Sequence, residues 1–465
     1  MTAEEKVKLK NKYFGTDGFR GEVNIDLNSE QAFRVGRFLG WYYSERSGAT
    51  PRVVIGKDTR RSSYTLEYAI AAGLTASGAD AYMLHVTTTP SVSYVTQSEG
   101  FDCGIMITAS HNPYYDNGIK IINRFGEKLD DRTTALIEAY IDGELGRLGL
   151  EGDIPLASRE KIGRIVDHVA GRNRYVAYLI TLASHSYKHL RIGLDSANGA
   201  TFSIASALFG ALGAKIYQIG NDPDGTNINL SCGSTHPERL CELVRREHLD
   251  VGFAFDGDGD RCIAVDENGA LVDGDGILYV LAKRLRARGM LENNTVVATV
   301  MSNSGFVRSL RNIGIDCVET TVGDRFVYEK MQNDDLSLGG EQSGHIIIKK
   351  YATTGDGLLS AIMLCEEICD TKRPLSALCE GLTLYPQYVK NVRVRDQNDA
   401  IEDTRVRETC DRVREEIGER GRLLLRKSGT EPLLRIMVEC ESIEDCYAYA
   451  ERVAESIREG GHELE

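Results

Sequence analysis

A run of alternating aspartates and glycines directly follows the apolar stretch Val251–Phe255, and its acidic members are Asp256, Asp258 and Asp260. Glycine lets the backbone turn tightly enough to gather alternate carboxylates around one point, and hard divalent cations bind such oxygens. The pattern predicts a Mg²⁺ site, with a solvated acidic turn as the alternative. An EF-hand loop fits less well, because Arg261 fills its glycine position and the flanking residues predict strands.

A serine lies at a second strand end, where residues 108–113 read Thr-Ala-Ser-His-Asn-Pro after an apolar run. Ligands bind at this edge of doubly wound sheets, so Ser110 is a candidate nucleophile, with a turn or helix-capping serine as the alternative. Pro113 favours a fixed turn. Neighbouring side chains of an extended chain point to opposite sides, so we predict that His111 orients the loop or contacts a ligand and is not a triad base.

Residues 426–435 combine the groups that phosphate binds, namely two guanidinium groups, two hydroxyls and glycine-exposed amides. The predicted phosphate contacts are Arg426, Ser428, Gly429, Thr430 and Arg435. A basic hairpin tip is the alternative. The sequence contains neither a Walker A nor a Gly-x-Gly-x-x-Gly pattern, so it implies no nucleotide cofactor.

Two further groups of polar residues lie next to glycines. Glu341 and Ser343 are two residues apart and can face the same way, which suits adjacent sugar hydroxyls, although a plain polar turn fits the spacing equally well. Lys120 and Arg20 follow glycine-containing turns. Each is an ordinary surface charge when taken singly, but together they supply the local positive field that an anionic substrate needs.

The composition bounds the class of protein. The chain has 465 residues, of which 42% are apolar and 27% charged, as in a soluble globular protein of roughly three or four domains. A formal charge of −14 disfavours nucleic acids and anionic membranes as partners. The charged N-terminal segment lacks the apolar core of a signal peptide, so we expect a cytoplasmic protein with reduced cysteines.

The elements that must position these residues form a repeated pattern. A strand, a helix, a glycine and a second strand follow one another three times, starting near residues 52, 191 and 295. This order predicts parallel βαβ crossovers and an α/β fold of three similar mixed domains. The remainder predicts a C-terminal α+β domain with an antiparallel sheet, built from a strand near 389–394, a helix near 404–417, a hairpin over 422–439 and a helix near 443–457.

We predict four domains, each carrying one part of the site. They are residues 1–153 with the serine loop, 154–254, 255–374 with the metal loop and the sugar-binding loop, and 375–465 with the phosphate-binding loop.

Taken together, these segments resemble the α-D-phosphohexomutase superfamily across essentially the whole chain. The versions of its motifs look most like those of the branch that acts on glucosamine phosphates, and they occupy residues 13–21, 108–120, 232–238, 322–325 and 340–345. Small departures occur at Phe19, where an aliphatic residue is usual, and at 61–63, where a glycine commonly follows the serine.

The resemblance implies four domains around a central cleft, with a mobile C-terminal domain. By matched positions Ser110 is the phosphorylated residue, and it shares one Mg²⁺ per chain with Asp256, Asp258 and Asp260. The remaining implied residues are Lys120, His111 and Arg261 around the transferring group, Glu341, Ser343, Arg20 and Arg325 on the sugar phosphate, and Arg426, Ser428, Gly429, Thr430 and Arg435 as a remote phosphate clamp.

The activity implied is the interconversion of glucosamine 6-phosphate and glucosamine 1-phosphate through a phosphoserine enzyme and a 1,6-bisphosphate sugar, which is both activator and intermediate. The alternatives are a mutase for glucose or mannose phosphates, a metal-dependent sugar-phosphate phosphatase and a non-catalytic binding protein. We expect Lys120 to be the general acid or base, because desolvation beside cations lowers the pKa of a lysine. The expected partner is a small sugar phosphate, and the expected state is a monomer or homodimer.

Overall fold

The computed structural model describes residues 12–15, 17–428 and 432–464. The chain divides into two compact units. The larger unit comprises the described residues up to Val300 together with Val318–Glu380, and it contains the serine and aspartate loops. The smaller unit comprises Met301–Cys317 and the described residues from Gly381 onward.

The first sheet of the larger unit has seven strands, in the order Phe14–Gly15, Gly18–Glu22, Asp116–Asn123, Cys103–Ile107, Arg52–Lys57, Asp80–Val86 and Ile165–Asp167. The last four in this order run parallel, and the other pairs are antiparallel. The α-helices between these strands are Ser29–Ser47, Ser63–Ala76, Thr89–Ser98 and Asp131–Ile141, with 3-10 turns at Leu145–Leu148 and Arg159–Lys161. Ser110 therefore follows a parallel strand at its carboxyl end.

The second sheet has five strands, in the order Leu271–Val272, Cys262–Val265, Val251–Phe255, Arg191–Asp195 and Lys215–Ile219. Its helices are Val169–Leu182, Ile204–Ala211 and Glu238–Glu247. Val251–Phe255 pairs in parallel with Arg191–Asp195 and antiparallel with Cys262–Val265. The aspartate loop is therefore the connection of a β-hairpin, and its flanks are strands, as the sequence predicts.

The third sheet has four strands, in the order Asp316–Thr320, Thr295–Thr299, Leu338–Gly340 and Ile346–Ile348. The helices of the larger unit in this part of the chain are Gly274–Ala287, Asp324–Asn333, Gly357–Thr371 and Leu375–Leu378, with a 3-10 turn at Glu292–Asn294. Leu338–Gly340 and Ile346–Ile348 are antiparallel. Glu341 and Ser343 lie in the turn that joins them.

The smaller unit has an antiparallel three-stranded sheet, in the order Gln387–Arg393, Leu433–Glu439 and Arg422–Lys427. Its helices are Ser304–Asn312, Gln397–Glu402, Thr404–Ile417 and Ile443–Glu459, with a 3-10 turn at Gly418–Arg420. Side chains from the sheet and from the last two α-helices form a single apolar core. The predicted C-terminal α+β domain with an antiparallel sheet is confirmed.

The predicted repeat is present at all three places, and the strands of the first two repeats pair in parallel as expected. The helix Ser63–Ala76 ends before Gly78, whose φ of +87° is the left-handed conformation that favours glycine after a helix. The second sheet continues past the predicted boundary at 255 as far as Val272. The aspartate loop therefore belongs to the second sheet and not to the third.

Candidate active site

Ser110 lies in a buried loop and contacts the aspartate loop directly. Its Oγ donates a hydrogen bond to Asp256 Oδ2 at 2.6 Å. The side chain is almost fully buried, and its backbone is left-handed, with φ of +52°. A non-glycine residue adopts this conformation only when its surroundings hold it there. The fold therefore fixes the hydroxyl on the carboxylate.

Two side chains hold the serine loop by its carbonyl oxygens. Asn229 Nδ2 donates hydrogen bonds to the carbonyls of Ser110 and Asn112, at 2.9 and 3.0 Å. Arg60 donates to the same two carbonyls and also forms an ion pair with Asp58, and neither charged side chain has measurable solvent exposure. No sequence pattern points to Asn229, because only the tertiary fold brings it to this loop.

We expect Arg60→Met to lower the free energy of unfolding by about 3–5 kcal/mol, because it leaves the buried Asp58 carboxylate without its cation. Urea denaturation followed by circular dichroism measures this change. Arg147→Met is a matched control, since Arg147 pairs with Glu144 on the surface, where such pairs contribute about 0–1 kcal/mol. Equal stability of the two variants would contradict the assignment.

The aspartate loop has the chemistry of a cation site. One oxygen from each of Asp256, Asp258 and Asp260 lies within 4.8 Å of the others, and all three residues are buried. The Oδ1 atoms of Asp258 and Asp260 are buried and lack a hydrogen-bond partner within the described part of the chain. Unpaired buried carboxylate oxygens are costly, and a hard divalent cation removes this cost. The residues fit such an ion.

The carboxylates affect one another strongly. Burial, followed by the charges of Asp260 and Asp258, raises the pKa of Asp256 well above its ordinary value. Burial also opposes the charge of Asp260, but Lys120 and then His345 outweigh it and lower the pKa of that carboxyl. A bound cation would relieve the repulsion that Asp256 experiences.

The surroundings of Lys120 differ from our expectation. Its Nζ lies 2.8 Å from Asp258 Oδ2, 3.0 Å from Asp260 Oδ2 and 3.2 Å from Asp17 Oδ2. Burial alone would lower the pKa of Lys120, but these three carboxylates outweigh burial and raise it well above its ordinary value. The expectation of a lysine pKa lowered beside cations is therefore wrong for this structure, because the neighbours are predominantly acidic.

The position of His111 also corrects an expectation. Its Nδ1 lies 3.4 Å from Ser110 Oγ, because the left-handed backbone at Ser110 removes the alternation of an extended chain. Burial, followed by the charges of Arg261 and Arg20, lowers the pKa of His111 to about 4. The imidazole is therefore neutral at physiological pH and close enough to contact the hydroxyl.

The turn of Glu341 and Ser343 packs beside the strand that leaves the aspartate loop. Cys262 N donates to the carbonyl of Gly344 at 3.0 Å, and Glu341 Oε1 accepts from the backbone N–H of Gly323 at 3.1 Å. Ser343 Oγ is buried and has no hydrogen-bond partner among residues that the structure describes. Its hydroxyl is therefore available to a ligand.

Two of the other predicted cations of the larger unit, Arg20 and Arg325, are paired with carboxylates. Arg20 forms an ion pair with Asp17, which also contacts Lys120. Arg325 pairs with Asp131 and, at 2.8 Å, with Glu329. The side chain of Arg325 lines the same cavity as Asp17 and Lys120. Arg261 offers a buried Nε that has no hydrogen-bond partner in the described parts of the chain.

The predicted phosphate clamp lies in the smaller unit. Arg426 and Arg435 occupy directly opposed positions on antiparallel strands, where like charges repel unless an anion joins them. Ser428 Oγ and Arg435 Nε are buried and have no hydrogen-bond partner within the described segments. Gly429 and Thr430 lie outside the described residues.

Comparison with known proteins agrees with this fold. Family models described as phosphoglucomutase/phosphomannomutase match in chain order: α/β/α domain I over residues 11–146, domain II over 173–269, domain III over 273–385 and the C-terminal domain over 390–456. Phosphoglucosamine mutase from Lachnospira eligens is 55% identical over 97% of this chain and 99% of its own. That from Oceanobacillus iheyensis is 47% identical over 96% and 99%.

Solved structures share the fold at lower sequence identity. A phosphoglucomutase/phosphomannomutase family protein from Burkholderia thailandensis superposes with a TM-score of 0.77 at 24% identity, covering 97% of both chains. N-acetylphosphoglucosamine mutase from Aspergillus fumigatus, solved with GlcNAc-6P and magnesium, gives 0.67 at 17%, covering 97% of this chain and 96% of that one.

The four family-model matches and the full-length relatives identify a phosphohexomutase, an enzyme that moves a phosphoryl group within a sugar phosphate, and the serine–aspartate cluster is consistent with this class. The chain belongs to the phosphoglucomutase/phosphomannomutase family, and its full-length relatives from Lachnospira and Oceanobacillus are phosphoglucosamine mutases. Within the described parts of the chain, no helix combines the length and the apolar character needed to cross a membrane.

Proposed function

We propose that this protein interconverts glucosamine 6-phosphate and glucosamine 1-phosphate. The observation that carries the proposal is the 2.6 Å contact between Ser110 Oγ and Asp256 Oδ2, which joins a candidate phosphoryl carrier to a candidate metal site across 146 positions of the chain. The 55% identity to a full-length phosphoglucosamine mutase supports the choice of sugar.

The proposed reaction begins with phosphoserine at position 110. Its phosphoryl group passes to O1 of glucosamine 6-phosphate, which leaves a free serine hydroxyl and a bound 1,6-bisphosphate. The bisphosphate then presents its other phosphate to Ser110, and the return transfer yields glucosamine 1-phosphate and restores the phosphoserine. No phosphate is gained or lost in a complete cycle.

Asp256, Asp258, Asp260 and the Ser110 oxygen would hold one Mg²⁺ per chain. This ion supplies stabilisation of the negative charge on a transferring phosphoryl group. The related Aspergillus fumigatus mutase was solved with magnesium, and a further structure of that enzyme contains glucose 1,6-bisphosphate. We propose that a 1,6-bisphosphate sugar also activates this protein.

The side chains around Ser110 then have separate roles. Lys120 is held protonated by its acidic neighbours, so it offsets negative charge, but its raised pKa makes it a weak donor of a proton to the leaving oxygen. Arg261 and Arg20 add positive charge, and neutral His111 orients the serine hydroxyl. Glu341 and Ser343 bind sugar hydroxyls, and Arg325 contributes to the same cavity.

The clamp of the smaller unit binds the phosphate that is not reacting. Arg426, Ser428 and Arg435 provide charge and an unpaired hydroxyl within the described residues, and we include Gly429 and Thr430 in the clamp from the sequence alone. Guanidinium groups and amides recognise phosphate without contacting the sugar ring, so one clamp serves both ends of the substrate.

We expect turnover of glucosamine 6-phosphate to exceed that of glucose or mannose 6-phosphate by at least about tenfold in kcat/KM, which corresponds to about 1.4 kcal/mol of discrimination. Each substrate is assayed with a trace of its matching 1,6-bisphosphate. A preference for glucose or mannose phosphates would favour another mutase of the family. Steady release of inorganic phosphate would instead indicate a phosphatase.

Gly257 keeps the serine and aspartate loops close together. A Cβ at this position would lie 2.5 Å from the carbonyl oxygen of Ser110. We expect Gly257→Ala to force the loops apart and to lower kcat by about 10²-fold, the cost of a misplacement near 1 Å. Enzyme kinetics test this, with Gly152→Ala as the control because its added Cβ meets nothing within 4 Å. Unchanged kcat in Gly257→Ala would contradict the required proximity.

We also propose a cytoplasmic location, a monomer or homodimer, and domain boundaries near 153, 273 and 375. The second boundary is moved from 255 because the second sheet extends to Val272. Limited proteolysis with mass spectrometry tests the boundaries, since linkers between domains are cut first.

A further inference from the structure

Lys128 closes a ring of alternating charges beside the candidate active site. Its Nζ lies 2.8 Å from Asp17 Oδ1 and 2.7 Å from Asp324 Oδ2. The same Asp324 oxygen lies 3.3 Å from His345 Nε2, and His345 Nδ1 lies 3.7 Å from Asp260 Oδ1. Lys120 contacts both Asp260 and Asp17 and completes the charged ring, whose members are Asp17, Lys128, Asp324, His345, Asp260 and Lys120.

The charged ring joins three parts of the larger unit. Asp17 and Lys120 belong to the first sheet and its edge, and Asp260 belongs to the aspartate loop. His345 ends the turn that carries the proposed sugar contacts. Lys128 lies outside every motif that the sequence presents, and a β-bridge with Ile122 fixes its backbone.

The charge of Lys128 is needed where it lies. Burial works against a protonated amine, but Asp17 and then Asp324 outweigh burial and raise the pKa of Lys128, so it is cationic at neutral pH. Without this cation Asp17 would keep Arg20 and Lys120 as partners, and Asp324 would keep His345. Both partly buried carboxylates would therefore be less fully compensated. Asp17 would then attract Lys120 more strongly, in competition with the aspartate loop.

We infer that Lys128 is a positioning residue of the reaction. Because Lys128 offsets the charge of Asp17, the Lys120 ammonium remains in contact with the carboxylates of the aspartate loop. Lys128 also binds Asp324, which contacts His345 at the end of the sugar-binding turn. As far as turnover is concerned, this inference rests on the proposed function.

The test compares Lys128→Met with Lys128→Arg in the full chain, at a phosphorylation state matched by intact mass. We expect Lys128→Met to lower kcat for glucosamine 6-phosphate by about tenfold or more, with a smaller change in KM. Mg²⁺ binding, measured by calorimetry without sugar, should become about threefold or more tighter, because a cation near the acidic triad is gone and Lys120 competes less for its oxygens.

Lys128→Arg should restore most of kcat and the original Mg²⁺ affinity. Lys330→Met is the matched control, since Lys330 pairs with Asp334 one turn along a helix, and it should change neither quantity. A lower kcat together with tighter Mg²⁺ binding in Lys128→Met would show that Lys128 acts by positioning Lys120. Joint weakening of both in Lys128→Met would indicate general structural damage and overturn the inference, as would no change in either.

The outcome separates this inference from the proposed function. If the wild-type chain does not turn over glucosamine 6-phosphate, the proposed function fails, but the calorimetric comparison of the Lys128 variants still tests the electrostatic role of Lys128. If the wild type is active and Mg²⁺ affinity does not tighten in Lys128→Met, the inference fails alone.

Discussion

Ser110→Ala should abolish mutase turnover, with kcat at least about 10³-fold below that of the wild type, while the fold stays intact. The variant lacks the oxygen that we propose as the phosphoryl carrier and that donates a hydrogen bond to Asp256. Among the described residues, no other hydroxyl group donates a hydrogen bond to the Asp256 carboxylate. We therefore expect no other side chain to carry the phosphoryl group in place of Ser110. Coupled-enzyme kinetics measure the loss, and intact mass should show that the added phosphate disappears.

The loss of turnover is informative only if the fold of the Ser110→Ala variant is unchanged. Ser98→Ala is a matched control, because Ser98 is exposed at the end of the helix Thr89–Ser98. We expect both variants to give the same far-ultraviolet circular dichroism spectrum and closely similar melting temperatures. Undiminished turnover in Ser110→Ala would refute the phosphoserine scheme, whatever the metal does.

Most of the fold could be predicted from local patterns in the sequence. The strands Arg52–Lys57 and Arg191–Asp195 have apolar centres and are followed by helical periodicity and a glycine, which is the signature of a parallel crossover. The antiparallel sheet of the smaller unit follows in the same way from its hairpin. The position of the aspartate loop within the second sheet could not be predicted, because nothing local indicates that Cys262–Val265 folds back onto Val251–Phe255.

The identity of the reactive groups was also visible in sequence, but their electrostatics were not. The alternation of aspartate with glycine predicts the cluster of Asp256, Asp258 and Asp260, which the structure confirms as a group. The pKa of Lys120 could not be predicted, because its direction depends on Asp17, which lies more than a hundred positions away along the chain. Long-range charge pairs leave no periodic signal.

The same limit applies to residues that support the site without touching substrate. Asn229 holds the carbonyl of Ser110, although its surrounding sequence reads only as a polar loop. Its φ of +60° is a conformation that asparagine tolerates better than most residues, which is the one local property that suits its position. A contact of this kind becomes predictable only once the first two sheets are placed together within the larger unit.

Asp258→Asn should weaken Mg²⁺ binding by about 100-fold or more and lower kcat by a similar factor. One oxygen of this carboxylate accepts from Lys120 and Thr89, whereas Oδ1 is buried and lacks a partner in the described chain, as expected of an atom that awaits a cation. An amide has half the acceptor atoms and no charge, so it cannot serve Lys120 and a metal together.

Calorimetry measures the affinity, and thermal unfolding provides an independent readout. Saturating Mg²⁺ should raise the melting temperature of the wild type, since a ligand that binds only the folded state stabilises it, and this rise should vanish in Asp258→Asn. Asp411→Asn is the control, because Asp411 pairs only with Arg414 on an exposed helix face among the ion pairs described, and it should keep both the affinity and the thermal shift. If Asp258→Asn bound Mg²⁺ as the wild type does, the three carboxylates would not be the metal site. The charge that they place beside Ser110 would then oppose phosphoryl transfer instead of assisting it.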